Sequence, residues 1–140
     1  MNLENVNKYK KEIFESLLNR DEKFYCEVVD TPELVIGKRG LTLEEKENRA
    51  IILVFSKTSY VNLTSDEHFI YCNMRFSGVW ENLVIPIYAI RTIYDDPYKP
   101  TFIFRFAIFR PNTLSEPKTT EEKKKEDRKK HIKSNLKVIK

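Results

Sequence analysis

Glycine is scarce in this chain, with only Gly37, Gly40 and Gly78 among 140 residues. That excludes a collagen or Gly-rich linker protein, and it leaves no Gly-rich loop to cradle a phosphate. Ser77 lacks the flanking glycines of a hydrolase nucleophile elbow. Histidine and cysteine are as rare. His68, His131, Cys26 and Cys72 have no metal-ligand spacing and no C-x-x-C pair. Both cysteines sit in apolar, strand-like runs and read as buried, reduced thiols of a cytosolic protein. No stretch reaches the ~18 consecutive apolar residues of a membrane-spanning helix. The first residues, MNLENVNKYKKEIF, lack the apolar core of a secretory signal, so export is not expected.

Charge is plentiful but unevenly placed. Residues 117–140 hold ten Lys/Arg against four Asp/Glu, a net of +6, which leaves −2 of the total +4 on residues 1–116. The basic character belongs to the tail. A nucleic-acid-binding domain carries its positive charge on the folded face, and here that face is mildly acidic.

Residues 1–20 read as an amphipathic helix. Val6, Tyr9, Ile13 and Leu17 recur at spacings of three and four, Phe14 and Leu18 widen the stripe, and Lys8, Lys10, Lys11, Glu12 and Glu15 take the wet side. The period then changes to two. Residues 24–30 are a strand candidate, 37–49 a polar surface loop, and 50–55 (AIILVF) a continuous apolar run read as a buried central strand. Residues 60–63 and 68–76 are further strands. In the latter, Ile70, Cys72, Met74 and Phe76 form the core face, and Phe69, Tyr71, Asn73 and Arg75 a half-polar, half-aromatic face suited to holding a ligand. Ser77-Gly78 turns the chain into a strand over 79–85. Helical spacing is expected over 87–94, ended by Asp95-Asp96-Pro97, and residues 101–109 (TFIFRFAIF) read as a last, aromatic strand. From residue 111 the composition no longer supports a core, and disorder is expected until the apolar character returns in the last five residues.

These residues offer no catalytic constellation. Asp95-Asp96 sit beside a proline as turn acids, and Asn62-Leu63-Thr64 matches a glycosylation sequon that a cytosolic chain never presents. No cofactor is expected, and the chain reads as a binding module rather than an enzyme. The aromatic content raises RNA stacking as an alternative, but the aromatics lie mostly at core parity in an acidic body.

The run from residue 51 to 95 resembles the stringent starvation protein B family, the bacterial SspB adaptors, through Asn73-Met74-Arg75-Phe76-Ser77-Gly78, then Val84-Ile85-Pro86-Ile87, then Ile93-Tyr94. A second piece, Leu136-Lys137-Val138-Ile139-Lys140, is similar to the short peptide with which these adaptors end and dock on the ClpX unfoldase. The resemblance implies an α+β, mainly β fold: an N-terminal helix, a small bent antiparallel barrel or sheet of Sm-like type, and a disordered tail. It divides the chain into a tag-binding domain over 1–110, a linker over 111–135 and a docking peptide over 136–140. It implies a cytoplasmic bacterial adaptor that binds the tmRNA-encoded degradation tag and delivers tagged proteins to ClpXP, without a cofactor or membrane. The runner-up is an Sm-like RNA-binding protein. Ser56, Ser59, Tyr60, Asn73, Arg75 and Phe76 are the implied peptide-binding residues. Leu136, Lys137, Val138, Ile139 and Lys140 are the implied unfoldase contacts. Tyr9, Ile13, Phe14 and Leu17 are the implied homodimer contacts. Ser77 stands where the family motif commonly has glycine, so a different turn is expected there. The linker is basic where well-known members have an acidic one. A flexible linker of about 25 residues would reach about 25–30 Å.

Overall fold

The computed structural model describes residues 2–114 and 116–118. The helix α1 spans Leu3–Asn19 and begins at Asn2, whose side chain accepts the Glu4 N–H at 3.0 Å and satisfies one of the free donors of the first turn. Two four-stranded antiparallel sheets follow. In the first, Phe24–Val29 (β1) lies between Ala50–Phe55 (β3) and Ile90–Tyr94 (β7), and Ile103–Arg105 (β8) is added on the far side of β7. In the second, Phe69–Phe76 (β5) pairs with Val79–Pro86 (β6) along its full length. Val35–Ile36 (β2) and Tyr60–Ser65 (β4) flank that hairpin. The inward residues of both sheets, among them Cys26, Val28, Leu53, Ile70, Leu83, Ile85 and Ile93, form one core with Phe14 of the helix. The chain is thus α+β and mainly β, as the sequence led us to expect. Residues 119–140, which contain most of the expected linker and all of the expected docking peptide, lie outside the described residues.

Four expectations are corrected. Residues 87–94 form one turn of 3-10 helix, Ile87–Ala89, and then strand β7. Isoleucines three apart follow the helical period, and in a strand they fall on opposite faces; the ladder to β1, with a register shift opposite Glu27 and Val28, makes the segment a strand and buries both Ile90 and Ile93. The run 50–55 is an edge strand: Ile51, Leu53 and Phe55 are buried, whereas Ile52 on the other face is 54% exposed. A strand with aliphatic residues on both faces reads the same in sequence whether or not its outer face is covered. The aromatic run 101–109 contributes only β8; Phe102 and Phe106 pack on the core from outside the ladder, and Phe104 is exposed. The polar loop 37–49 contains a short helix α2, Leu43–Asn48, started by a capping box in which Thr42 and Glu45 satisfy each other's backbone N–H.

Lys10 also departs from the wet side assigned to it. It is fully buried between Val6 and Phe14 on the inner stripe of α1. Its ammonium donates to the Tyr88 carbonyl at 2.7 Å and lies 5.8 Å from the centre of the Phe106 ring. A lysine stem is long enough to run through an apolar contact if its end finds an acceptor. Burial pushes the Lys10 amine down to about 8, whereas in the unfolded chain it titrates near 10.4. The unfolded state therefore binds more protons between these values, and stability contributed at this site rises with pH through that window. Replacing Lys10→Met removes the titration. In urea unfolding, wild type is expected to gain about 2 kcal/mol relative to Lys10→Met between about pH 7.5 and pH 10. A pH-independent difference would show that the amine is not held in a desolvated site.

Candidate functional site

The β5–β6 hairpin presents the chemistry. Its two-residue loop pairs Phe76 with Val79, and this register sets Arg75 opposite Trp80 and Asn73 opposite Asn82. Both pairs face away from the core. The Arg75 guanidinium lies 5.9 Å from the Trp80 ring centre, within reach of a cation–π attraction. The Asn73 amide donates to the Asn82 side-chain carbonyl and accepts from the Asn62 amide at 3.3 Å. Val61 of β4 continues this face next to Asn73. Trp80 and Val61 are nearly half exposed, which is unusual for side chains of their size and hydrophobicity. Beside Trp80, an open cavity of about 670 Å³ is lined by Val35, Lys38, Glu81, Asn82 and Val84 and, from the C-terminal segment, by Pro117 and Lys118.

The inner face of the same strands is closed. Tyr60 sits opposite Met74, with its ring 5.8 Å from that of Phe55. Phe76 is capped by the Arg39 guanidinium, 4.6 Å from its ring centre. Arg39 is held flat by a two-point bond to Glu45 (2.9 and 3.1 Å) and a 2.7 Å bond to the Gly40 carbonyl, while its own backbone N–H donates to Glu81 at 2.8 Å. Burial works against the Glu45 carboxylate, but the bonds from Arg39 and Thr42 outweigh it and hold the group below its ordinary range. Gly37 allows this arrangement, because a side chain there would begin 2.8 Å from the Glu81 Cβ at a positive φ of 52°.

The implied peptide-binding residues therefore divide between two faces. Asn73 and Arg75 lie on the open outer face, and Tyr60 and Phe76 on the covered inner one. Ser56 and Ser59 belong to the turn between β3 and β4. There the Ser59 hydroxyl accepts the Ser56 N–H and donates to the Val54 carbonyl, both at 2.8 Å. The crevice beside this turn, lined by Leu18, Phe55, Lys57 and Tyr60, is about 10 Å³, room for roughly one water molecule. The outer set named from alternation is also half covered: Phe69 and Tyr71 are buried, so only Asn73 and Arg75 are accessible there. Trp80, Val35, Val84, Lys38 and Arg39 were not found by sequence reasoning. Alternation along β6, combined with a two-residue turn at Ser77-Gly78, would have placed Trp80 beside Arg75.

Among the implied dimer residues, Phe14 is committed to the chain's own core, with 1% exposure, and Leu17 packs against that core. Ile13 is half-buried against the same core and Tyr9 is exposed; both, with Val6, line an open groove of about 530 Å³ against Arg105, Phe106 and Ala107. Among the described residues, no group of His, Cys, Asp and Glu could hold a metal ion. The two thiols are buried, and burial pushes Cys72 up to about 12 and Cys26 higher still, so neither is a nucleophile near neutral pH. No described helix is long and apolar enough to cross a membrane.

Both residues of the hairpin loop have positive φ, 49° at Ser77 and 83° at Gly78. This is the tight-turn backbone whose twist matches that of the flanking strands. Ser77 here adopts the conformation that glycine or asparagine takes readily, at a cost of about 1 kcal/mol. Ser77→Asn is expected to raise unfolding stability by about 0.5–1 kcal/mol, and a β-branched Ser77→Val to lower it by at least as much. Urea denaturation of the two variants checks the order, and equal stability would contradict the strained turn.

The family model described as stringent starvation protein B matches residues 6–140. No curated protein matches the chain.

Proposed function

The chain belongs to the stringent starvation protein B family, a family of protease adaptors, and from that premise we propose that it grips the tmRNA-encoded degradation tag and delivers tagged proteins to ClpXP in the bacterial cytoplasm. The family match over residues 6–140 is the observation that carries this reading. The exposed outer face of β5–β6 supports it: an extended peptide can lie along Arg75, Trp80 and Asn82, with a side chain in the adjoining cavity. Peptide recognition of this kind combines polar groups that fix orientation with an apolar pocket that supplies affinity. No step of bond chemistry is assigned to the chain, which acts by holding and tethering. Residues 136–140 are the proposed contact with the unfoldase. The surface formed by Tyr9 and Ile13 is the proposed contact with a second copy of the chain.

Two measurements test the reading. Binding of a fluorescein-labelled tmRNA-tag peptide is expected to weaken about 5- to 100-fold in Arg75→Gln, the loss of one charge-assisted hydrogen bond at a partly open site. Unchanged affinity would remove the outer face as the binding surface. In a second assay, ClpXP degrades a tagged fluorescent protein kept well below saturation. Leu136→Asp together with Ile139→Asp is expected to abolish stimulation while leaving peptide binding intact, because a tether acts by raising local concentration into the millimolar range. Undiminished stimulation would rule out the terminal peptide as the docking element.

A further inference from the structure

Beyond the strands, the chain does not leave the body where its composition turns linker-like. The Phe109 carbonyl accepts from the Asn7 side chain at 3.0 Å, on the helix. Arg110 then binds Glu33, with its Nε at 2.8 Å, and the same carboxylate accepts the Tyr88 hydroxyl at 2.7 Å. Burial opposes the Glu33 charge, yet these two bonds hold its carboxyl below the ordinary range. Pro111 and Leu114 lie beside Asn7, His68 and Tyr88. Finally, the Lys118 backbone N–H donates to the Tyr71 hydroxyl at 3.1 Å. This last contact brings Pro117 and Lys118 to the outer face of the second sheet, where they line the same cavity as Val35, Trp80 and Val84.

We propose that Pro117 and Lys118 are one wall of the peptide-binding cavity, so that the start of the C-terminal segment is part of the recognition surface as well as the beginning of a tether. The inference rests on the adaptor reading above and names the missing side of its site. Sheet residues alone offer a ligand one flank. A pocket that buries most of a bound side chain needs opposing surfaces, and a volume of about 670 Å³ is in the range of small-ligand sites. The apolar faces of Val35, Trp80, Val84 and Pro117 select an apolar side chain. Lys38 lines the cavity and Arg75 stands over Trp80 beside it, the Glu81 carboxylate in the lining is already engaged by the Arg39 backbone N–H, and residues 1–116 as a whole carry net −2. The ligand is therefore an extended, acidic peptide that presents one apolar side chain to the cavity, its carboxylates meeting Lys38 and Arg75.

The test uses the full-length chain. Lys118→Pro deletes the N–H that Tyr71 accepts, whereas Lys118→Gln keeps it and removes only the charge. Trp80 is the sole tryptophan, so its fluorescence reads the cavity directly. Without peptide, Lys118→Pro is expected to steepen acrylamide quenching of Trp80 by about 1.5- to 2-fold, and Lys118→Gln to leave it unchanged. Anisotropy with the labelled tmRNA-tag peptide is expected to show affinity about 3- to 10-fold weaker in Lys118→Pro. Normal peptide binding by wild type with unchanged affinity in Lys118→Pro overturns the wall and leaves the adaptor reading standing. Tighter binding by Lys118→Pro overturns it in favour of a competing segment. If wild type fails to bind the tag peptide, the adaptor reading falls, and the proposed wall falls with it.

Discussion

Three phenylalanine rings hold the helix to the sheets, and the remaining architecture depends on them. Phe14 of α1 meets Phe24 of β1 and Phe55 of β3 edge-on, at centroid distances of 5.4 and 4.8 Å, while Phe24 and Phe55 stack at 5.2 Å. All three are buried. Each ring pair contributes about 0.5–1.5 kcal/mol beyond the burial of its area. Tyr60 extends the cluster to the first residue of β4, so the contact reaches from the helix through one sheet to the edge of the other. The turn between β3 and β4 closes over this cluster, and the Ser59 hydroxyl satisfies the backbone there.

That closure decides which face of the β5–β6 hairpin is free. With the inner side occupied by the common core, and Phe76 capped by Arg39, ligand-holding chemistry is left to the outward residues of two adjacent strands. The hairpin register then converts two separate stretches of chain into one surface, with Arg75 beside Trp80 and Asn73 beside Asn82. A shift of one residue would have exchanged the faces and buried the arginine. The left-handed conformation at Ser77 is the local cost of a two-residue loop that prevents such a shift.

A buried lysine occupies the other junction. Lys10 crosses from α1 to the Tyr88 carbonyl, beneath Phe106, and ties the helix to the segment that precedes β7. The same region holds Glu33, which gathers Tyr88 and Arg110. Polar contacts thus fasten the parts of the fold that the apolar core does not reach, including the path of the chain from Phe109 to Lys118. Hydrogen bonds of this kind add little net stability each, but an unmet buried partner costs more, so they fix position.

Much of this was legible in the sequence. Helix α1, strands β1, β5 and β6 and the turn at Ser77-Gly78 follow from the change of hydrophobic period from near four to two and from glycine at a tight turn, because these patterns arise within a few residues of one another. The core face Ile70, Cys72 and Met74 was readable for the same reason, and so was the availability of Asn73 and Arg75. Other features depend on neighbours distant in the chain. Whether the run 50–55 is central or at an edge depends on which strands pair with it. Residues 87–94 become strand because β1 offers a ladder. Lys10 is buried because a carbonyl acceptor lies 78 residues away, and the covered Tyr71 hydroxyl meets both Asp66 and the backbone of Lys118, 47 residues on. The sequence by itself determined the local periods, the turn and the chemistry carried by each strand; only the tertiary structure decided which of those side chains meet, because burial and pairing are properties of surfaces assembled from the whole chain.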